Sequence, residues 1–372
     1  MAASELSRKI CKGAMEDLVV ALKDLSKKRI LVTGHTGFKG SWLTQWLLKY
    51  GADVAGIALA PEQSPALFDQ LALHEQIQHR VVDIRNQAQV DRVFKEFEPQ
   101  VVFHLAAQAL VRRSYKDPKE TFDVNVGGSI NILECVKTSS SIEALVFVTS
   151  DKCYLNKELV RGYTEEDELG GIDPYSASKA CAELAFSTYS SSYFSDRSGF
   201  AAASARAGNV VGGGDWSEDR IVPDCMRSLQ KQEVISLRRP EATRPWQHVL
   251  EPLSGYLTLA HHLLTEPAKA AGSWNFGPNE SSVHSVNDVV HECMKNWGIE
   301  VPIELHESRV HEAGLLQLNC EKAKSVLGWK PRWNFEQTFK ETTEWYKRVS
   351  QGEGVRSITL EQITRYEESR ND

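Results

Sequence analysis

The sequence lacks an apolar run of about 18 residues, the minimum for a membrane-spanning helix. Its first residues mix acids with bases and contain no apolar core, so we expect no secretory signal peptide. The seven cysteines form no C-x-x-C pair and are odd in number, which argues against a disulfide framework. Reduced thiols are typical of the cytosol, and we therefore expect a cytoplasmic protein that binds no membrane.

A strong positive charge is also absent. The 372 residues have a formal net charge of −7, which argues against general nucleic-acid binding. A few local arginines could still bind an anionic small molecule. Hydrophobic residues make up 41% of the chain and charged residues 25%, as in ordinary globular proteins. The length favours two lobes around one cleft.

Short apolar strands alternate with helices in the first half of the chain, and this alternation predicts an α/β fold with a doubly wound parallel sheet of the Rossmann type. We assign this domain to residues 28–210 and a smaller C-terminal α/β substrate lobe to residues 211–372, with the chain able to cross between them. Residues 1–27 form an N-terminal extension, which is either an added helix or, as we favour, a frayed segment. The predicted strands are 30–33, 53–60, 78–84, 100–107 and 143–149, and the predicted helices are 87–97, 118–137, 221–231, 249–264, 285–297 and 335–349.

A glycine-rich segment, GHTGFKG (34–40), follows the first predicted strand and opens a helix. Gly34 permits a tight turn, Gly37 lets the backbone approach a diphosphate, and Gly40 allows close packing of helix and strand. The free N–H groups of the helix N-terminus then face the phosphates. Because strand, loop and helix occur together, the segment predicts a dinucleotide site rather than an ordinary glycine loop.

The choice between NAD and NADP is less clear from the residues. The second strand ends in Gly56–Leu59, without the acid that usually binds the ribose hydroxyls and without a nearby arginine for a 2′-phosphate, and NAD is favoured. Asp83 ends the third predicted strand. It either meets the adenine or caps the following helix.

Two further segments contain groups suited to acid–base chemistry. TSDKCY (149–154) places Ser150, Asp151 and Lys152 at the end of an apolar strand, where charges are costly unless they are paired or used. In PYSASKA, Tyr175 and Lys179 are four residues apart and share a helix face. We expect the lysine ammonium to lower the pKa of the tyrosine, which would make it a base for an alcohol.

Long blocks of the sequence resemble the extended short-chain dehydrogenases/reductases that act on sugar nucleotides, and in particular the CDP-glucose 4,6-dehydratases. The resemblance runs from about residue 29 nearly to the C-terminus and does not cover residues 1–27. The blocks are GHTGFKGSWL (34–43), HLAAQALVR (104–112), TSDKCY (149–154), GGIDPYSASKACAEL (170–184), RAGNVVGGGDW (206–216), DRIVPD (219–224), RPWQHVLEPLSGYL (244–257) and WNFGPN (274–279).

The resemblance implies a redox-neutral reaction that uses NAD and converts CDP-glucose to CDP-4-keto-6-deoxyglucose and water. Tyr175 and Lys179 would serve the oxidation at C4, and Ser150 would hydrogen-bond the C4 oxygen. Asp151 would protonate the leaving C6 hydroxyl, provided that burial raises its pKa. Lys152 would remove the C5 proton. Alternatively, it only pairs with Asp151 or with a phosphate.

The resemblance also implies the contacts of both ligands. Trp216 either stacks on the cytosine or packs internally, and Asn125 either supports the site or is a structural amide. The expected cofactor-binding residues are Gly34, Gly37, Phe38, Gly40, Asp83, Ile84, Ala106, Ala107, Gln108, Tyr175 and Lys179. The expected substrate-binding residues are Asn209, Arg220, Arg244 and Arg309.

Rival interpretations remain open at this point. A nucleotide-sugar epimerase would need Tyr175 and Lys179 but not the Asp151–Lys152 pair, whereas a non-catalytic regulator on the same fold would be expected to lose Tyr175. The spacing of His306, His311 and Glu312 fits no standard zinc pattern, so we expect no metal. By analogy with the family, helices near 118–137 and 174–194 would form a homodimer.

Overall fold

The computed structural model describes residues 18–217, 220–279, 282–306 and 316–369. Its main feature is a parallel sheet of seven strands in the order β11-β6-β5-β4-β1-β2-β3, with the numbering given below. The α/β fold with a doubly wound parallel sheet is confirmed. The strands are β1 (Arg29–Thr33), β2 (Asp53–Ala58), β3 (Gln78–Val81), β4 (Val101–His104), β5 (Ala144–Val148), β6 (Ala201–Ala207), β7 (Val210–Val211), β8 (Ile235–Leu237), β9 (Thr243–Pro245), β10 (Gln247–His248), β11 (Gly272–Phe276), β12 (Val283–Ser285) and β13 (Ile303–Leu305).

Helices cover both faces of the sheet, so the central strands are buried on both sides. Every residue of β5 is buried, which explains its uniformly apolar sequence. The helices are α1 (18–25), α2 (Phe38–Lys49), α3 (Leu67–Gln70), α4 (Gln87–Phe97), α5 (Val111–Lys116), α6 (Pro118–Phe122), α7 (Ser129–Thr138), α8 (Pro174–Tyr189), α9 (Ile221–Lys231), α10 (Leu250–Thr265), α11 (Pro267–Ala270), α12 (Val286–Trp297), α13 (Glu321–Val326), α14 (Phe335–Ser350) and α15 (Val355–Glu368).

The described part of the N-terminal extension is not frayed, contrary to the expectation that we favoured. Helix α1 buries Leu18, Leu22 and Leu25, which are 3%, 1% and 0% exposed, in the core that also contains Trp42 and Trp46. Apolar residues at helical spacing therefore dock this segment on the sheet. Residues 1–17 lie outside the described part.

The helix predicted over 118–137 is present but is not continuous. A π-helical turn over Asp123–Gly128 separates α6 from α7. Gly128 packs so closely on the next layer that an added Cβ would lie 2.6 Å from the Ile84 side chain. π-Helical turns often occur at functional sites, and this one carries Asn125.

The chain crosses between lobes after residue 210. Strand β11 pairs in parallel with β6 and completes the main sheet, although it follows α10 in the sequence. The remaining strands form three small pairs, β7 with β10, β9 with β12 and β8 with β13. The domain boundaries stay a prediction. Over the described ranges, we find no helix that combines the length and the apolar character needed to cross a bilayer.

Candidate active site

A cavity of about 1670 Å³ opens at the carboxyl ends of the sheet strands. It extends from the glycine loop, past Asp151 and Tyr175, to Arg244 in the second lobe. Ligands of open α/β sheets bind at this edge. The volume exceeds the roughly 300–1,000 Å³ of a site for one small ligand, and is large enough for a dinucleotide and a second nucleotide together.

The glycine loop has the geometry that its sequence predicts. Gly34 has a φ of +76°, and a Cβ there would lie 2.8 Å from the Ala106 nitrogen. A Cβ on Gly40 would lie only 2.1 Å from the Gly34 oxygen. Only glycine fits these two positions, and the loop consequently brings the N-terminus of α2 to the cavity wall. Gly37 and Phe38 line the cavity at the start of that helix.

Asp83 and Ile84 line the same cavity next to β3. Asp83 accepts hydrogen bonds from the backbone and guanidinium of Arg85, which hold the pKa of its carboxyl below the usual range. The N-cap of α4 is Asn86, whose side chain accepts from the Gln89 nitrogen. The helix-cap alternative for Asp83 is therefore wrong, and the adenine contact stays a prediction.

The loop after β4 is clamped by a buried amide. Asn125 accepts from the Gln108 nitrogen at 2.8 Å and donates to the Gln108 carbonyl at 3.1 Å. Its amide also donates to the Ser178 hydroxyl at 2.9 Å. Asn125 thus ties the segment with Ala106, Ala107 and Gln108 to helix α8. This arrangement favours a supporting role for Asn125.

Ser150 and Asp151 follow β5 in a turn of 3₁₀ helix over Asp151–Cys153. The Ser150 hydroxyl donates to Asp151 Oδ1 at 2.9 Å and accepts from the Lys152 nitrogen at 3.2 Å. Asp151 is 4% exposed, and burial raises the pKa of its carboxyl. Lys152 and Lys39 act in the opposite direction. This direction meets the condition placed on Asp151 as a general acid, and the acid role itself stays a prediction.

Tyr175 and Lys179 are on α8 (Pro174–Tyr189), which is capped by Asp173. The Asp173 side chain accepts from the Ser176 nitrogen, and Pro174 occupies the first turn. Both predicted residues are buried and line the cavity.

The expected low pKa of Tyr175 is wrong for this structure. Burial raises the pKa of Tyr175 to about 12, although the Ser150 hydroxyl, by hydrogen bonding, and Arg220 lower it. Burial also lowers the pKa of Lys179 to about 8, so the amine is less completely protonated near neutral pH. Desolvation of the phenol outweighs the charges around it.

Lys152 and Lys39 bring two more amines to the same place. Lys152 Nζ is 5.9 Å from the centroid of the Tyr175 ring, a cation–π distance. Lys39 was missed among the predicted site residues. Burial lowers the pKa of the Lys39 amine to about 8, although the charge of the nearby Asp151 carboxylate acts in the opposite direction. The signal was a lysine in the first turn of a helix, where the helix dipole disfavours a cation.

A buried ion pair lies beneath these groups. Arg206 Nη2 is 2.7 Å from Glu183 Oε2, and both side chains are almost fully buried. Glu183 also accepts from the hydroxyls of Thr149 and Ser204. Because Thr149 precedes Ser150 and Glu183 is one turn after Lys179, the pair fixes both predicted catalytic segments. Sequence reasoning missed it, since neither residue belongs to an acid–base motif.

The predicted substrate arginines lie across the cavity. Arg220 is held by Asp215 at 2.7 Å, which raises the pKa of Arg220, and Arg244 and Asn209 also line the cavity. Arg309 lies outside the described residues.

Trp216 packs on Tyr346 with ring centroids 5.1 Å apart, and its indole donates to Gln70. These contacts favour the packing alternative. Over the described ranges, no group of three metal-ligating side chains is found, and His311 and Glu312 lie outside them.

Comparison with known proteins identifies the family. The family model described as GDP-mannose 4,6 dehydratase matches residues 31–342. CDP-glucose 4,6-dehydratase from Salmonella typhimurium is 45% identical over 344 residues, which cover 91% of this chain and 96% of that protein.

Solved structures show the same fold. UDP-glucose 4-epimerase from Thermus thermophilus in complex with NAD is 26% identical, with a TM-score of 0.72 and coverage of 86% of this chain and 99% of that one. dTDP-glucose 4,6-dehydratase from Bacillus anthracis in complex with NAD is 24% identical, with a TM-score of 0.72 and coverage of 87% and 97%. The chain therefore belongs to the nucleotide-sugar 4,6-dehydratases, hydro-lyases of the NAD-dependent epimerase/dehydratase family.

Proposed function

We propose that this protein converts CDP-glucose to CDP-4-keto-6-deoxyglucose and water. The observation that carries the proposal is Asp151, a buried carboxyl with a raised pKa that lies beside Ser150 and Tyr175 at the end of β5. An epimerase has no need of a proton donor there, whereas removal of a hydroxyl does. The choice of CDP-glucose rests on the 45% identity to the Salmonella typhimurium enzyme.

The glycine loop and the cavity fit NAD. A Cβ on Gly34 or Gly40 would collide with the backbone. Because both residues are glycine, the loop is tight enough for the N-terminus of α2 to reach a diphosphate. Gly34, Gly37, Phe38 and Gly40 would bind the diphosphate. Asp83, Ile84 and the Ala106–Gln108 segment would bind the adenosine and nicotinamide parts, and Tyr175 and Lys179 the nicotinamide ribose. Bound NAD would supply the oxidation at C4 and the later reduction at C6.

The protein's own residues would supply the proton transfers. Tyr175 would accept the C4 hydroxyl proton, and its raised pKa means that bound ligands and Lys179 must first stabilise the phenolate. Ser150 would hydrogen-bond the C4 oxygen. Asp151 would protonate the departing C6 hydroxyl, and Lys152 would remove the C5 proton.

The second lobe would bind the substrate diphosphate through Asn209, Arg220, Arg244 and Arg309. Arg220 is the best supported of these, because Asp215 fixes its guanidinium at the cavity wall. A planar guanidinium can donate two hydrogen bonds to phosphate oxygens.

A homodimer in the cytosol is also part of the proposal. Phe122 on α6 and Leu184 on α8 are large apolar residues that the described chain exposes, at 36% and 55%. A second copy packed on these helices would bury them. All six described cysteines are free, which fits a reducing compartment. Leu184→Glu should lower the mass measured by light scattering to that of a monomer, and an unchanged mass would exclude this interface.

The function is tested by product mass. The purified protein is incubated with NAD and, in parallel, with CDP-glucose and dTDP-, UDP- and GDP-sugars. Loss of one water from CDP-glucose alone, without net reduction of NAD, is the expected result. Dehydration or epimerisation of another sugar nucleotide instead would show that the proposed substrate is wrong. Turnover of none of them would favour a non-catalytic NAD-binding protein.

A further inference from the structure

The 3₁₀ turn after β5 is held at both of its ends. It carries the two groups proposed for the elimination of water, Asp151 and Lys152. On the strand side it follows Thr149, which donates to Glu183. On the other side Tyr154 closes the turn, because its backbone nitrogen donates to the Asp151 carbonyl at 3.3 Å. The placement of the turn therefore depends on what holds Tyr154.

The side chain of Tyr154 is fixed against the last strand of the main sheet. Its phenol donates to Asn275 Oδ1 on β11 at 2.8 Å and accepts from Arg206 Nη1 at 2.8 Å. Its ring stacks on that of Tyr163, with centroids 5.2 Å apart. Tyr154 is 1% exposed and Asn275 is 0% exposed, so water does not compete for their hydrogen bond.

Asn275 uses the full donor capacity of its amide. While Oδ1 accepts from Tyr154, Nδ2 donates to the carbonyl of Tyr163 at 2.8 Å and to the carbonyl of Asn319 at 3.1 Å. A primary amide has two N–H donors and one carbonyl oxygen, and all of them have partners here. Neither a carboxylate nor an apolar side chain could make this set. One buried amide thus joins the 3₁₀ turn to two other segments of the chain.

We propose that Asn275, acting through Tyr154, is a positioning residue for elimination. The Asn275–Tyr154 hydrogen bond would fix the placement of the Asp151 carboxyl and the Lys152 amine relative to C6 and C5 of the sugar. The phenol proposed for oxidation at C4, Tyr175, is on α8 and does not depend on this bond. The inference rests on the proposed function and adds to it that oxidation and elimination have separate supports.

Tyr154→Phe tests the inference, because it removes the hydroxyl and keeps the ring. A single turnover with CDP-glucose is followed by the absorbance of the reduced nicotinamide, which rises with oxidation at C4 and falls when hydride returns to C6 after elimination. We expect the rise to keep its wild-type rate and the fall to slow by about ten- to a hundredfold, since a misplacement of about 1 Å costs a rate on the order of a hundredfold.

Tyr366→Phe is the matched control. It also removes a buried phenol hydroxyl, which donates to Glu251 Oε2 at 2.7 Å outside the cavity. Both variants should unfold at a lower temperature than the wild type, because each leaves a buried acceptor without its donor. Only Tyr154→Phe should change the ratio of the two rates. An unchanged ratio in Tyr154→Phe, or the same change in both variants, would overturn the positioning role.

Asn275→Leu breaks the same hydrogen bond from the other side. If the two residues act through one bond, adding Tyr154→Phe to Asn275→Leu should slow elimination little further, whereas independent effects would multiply. Multiplied effects would overturn the inference. Should Asn275→Leu not fold, the ratio measured in Tyr154→Phe decides alone.

The wild type separates this inference from the function on which it rests. A wild type that dehydrates CDP-glucose, together with an unchanged ratio in Tyr154→Phe, would overturn the positioning role and keep the proposed function. A wild type that dehydrates no sugar nucleotide would refute both.

Discussion

Two buried carboxylates lie at the carboxyl edge of the sheet, and their surroundings differ. Glu183 is paired with Arg206 at 2.7 Å and accepts from two hydroxyls, so its charge is compensated. Asp151 accepts from Ser150 and borders open cavity, and no residue in the described part of the chain forms a salt bridge with it. Burial accordingly raises the pKa of Asp151. One carboxylate is paired with a buried counter-ion, and the other is arranged to take up a proton.

The difference shows how one sheet edge can be both stable and reactive. A buried carboxylate with a cation and several donors stabilises the segments that contact it, and its loss leaves an unpaired charge. A buried carboxyl with few donors is costly in its ionised form and therefore suited to hold a proton. The Glu183 cluster positions Thr149 and Lys179, and Asp151 follows Thr149 by two residues.

Asp151→Asn should have the largest effect on activity. The amide cannot donate a proton to the C6 oxygen as an acid does, and we expect the dehydration rate to fall by about 10²- to 10⁴-fold. Steady-state kinetics with CDP-glucose would measure it. A variant that keeps more than a tenth of the wild-type rate would remove Asp151 from the acid role.

The stability of Asp151→Asn also tests the difference between Asp151 and Glu183. Because the folded pKa of Asp151 is raised above its ordinary value of 3.8, its favourable contribution is complete below that pH and is lost as pH rises through the folded pKa. At neutral pH, Asp151→Asn should therefore unfold at the same temperature as the wild type or higher. A large destabilisation there would place Asp151 with Glu183 as a structural carboxylate.

Glu183→Gln should have the opposite effect on stability from Asp151→Asn. It leaves the Arg206 guanidinium buried without its counter-ion, and we expect the free energy of unfolding to fall by about 3–5 kcal/mol. Urea denaturation would measure the change. Glu168→Gln, which breaks the exposed pair with Lys157, is the matched control and should leave the midpoint unchanged. Equal effects of the two changes would mean that the buried Glu183–Arg206 pair contributes no more to stability than the exposed pair.

Local patterns predicted the sheet and the acid–base residues, but not what surrounds them. The strand before Ser150, the glycine loop and the Tyr175–Lys179 spacing depend on neighbours in sequence, and the structure places all of them around one cavity. Glu183 and Arg206 are 23 residues apart and pair only because α8 packs on β6. The low pKa expected for Tyr175 was wrong for a related reason, since burial is a property of the whole fold.

A third buried carboxylate, Glu251 on α10, has Arg332 as a neighbouring cation but accepts its hydrogen bonds from neutral donors. It accepts from the backbone nitrogens of Arg332 and Trp333 and from the Tyr366 hydroxyl, yet burial raises its pKa from 4.5 to about 7. Its stabilising contribution is present below pH 4.5 and is lost as pH rises through about 7. A shift of that size corresponds to about 3 kcal/mol.

Glu251→Gln removes this titration. We expect the variant to be less stable than the wild type at acidic pH, because it loses an acceptor for the backbone, and the gap to narrow by up to about 3 kcal/mol toward alkaline pH. Unfolding free energies of the two proteins across the range would show this. A gap that is constant with pH would mean that the pKa of Glu251 is not raised by folding.

Lys39→Met should have the smallest effect on activity, and it removes a charge next to Asp151 at the cavity wall. The Lys39 amine opposes the rise in the pKa of Asp151, so removing its charge should raise that pKa further. The alkaline limb of the pH–rate profile, where a general acid loses its proton, should then move to higher pH. Lys49→Met is the control, because Lys49 is on the same helix but pairs with Glu367 outside the cavity. A limb that moves in neither variant would show that the limiting group is not Asp151, and one that moves equally in both would reflect a general loss of charge. A shift confined to Lys39→Met would mean that an amine in the first turn of α2 sets how readily the Asp151 carboxyl releases its proton.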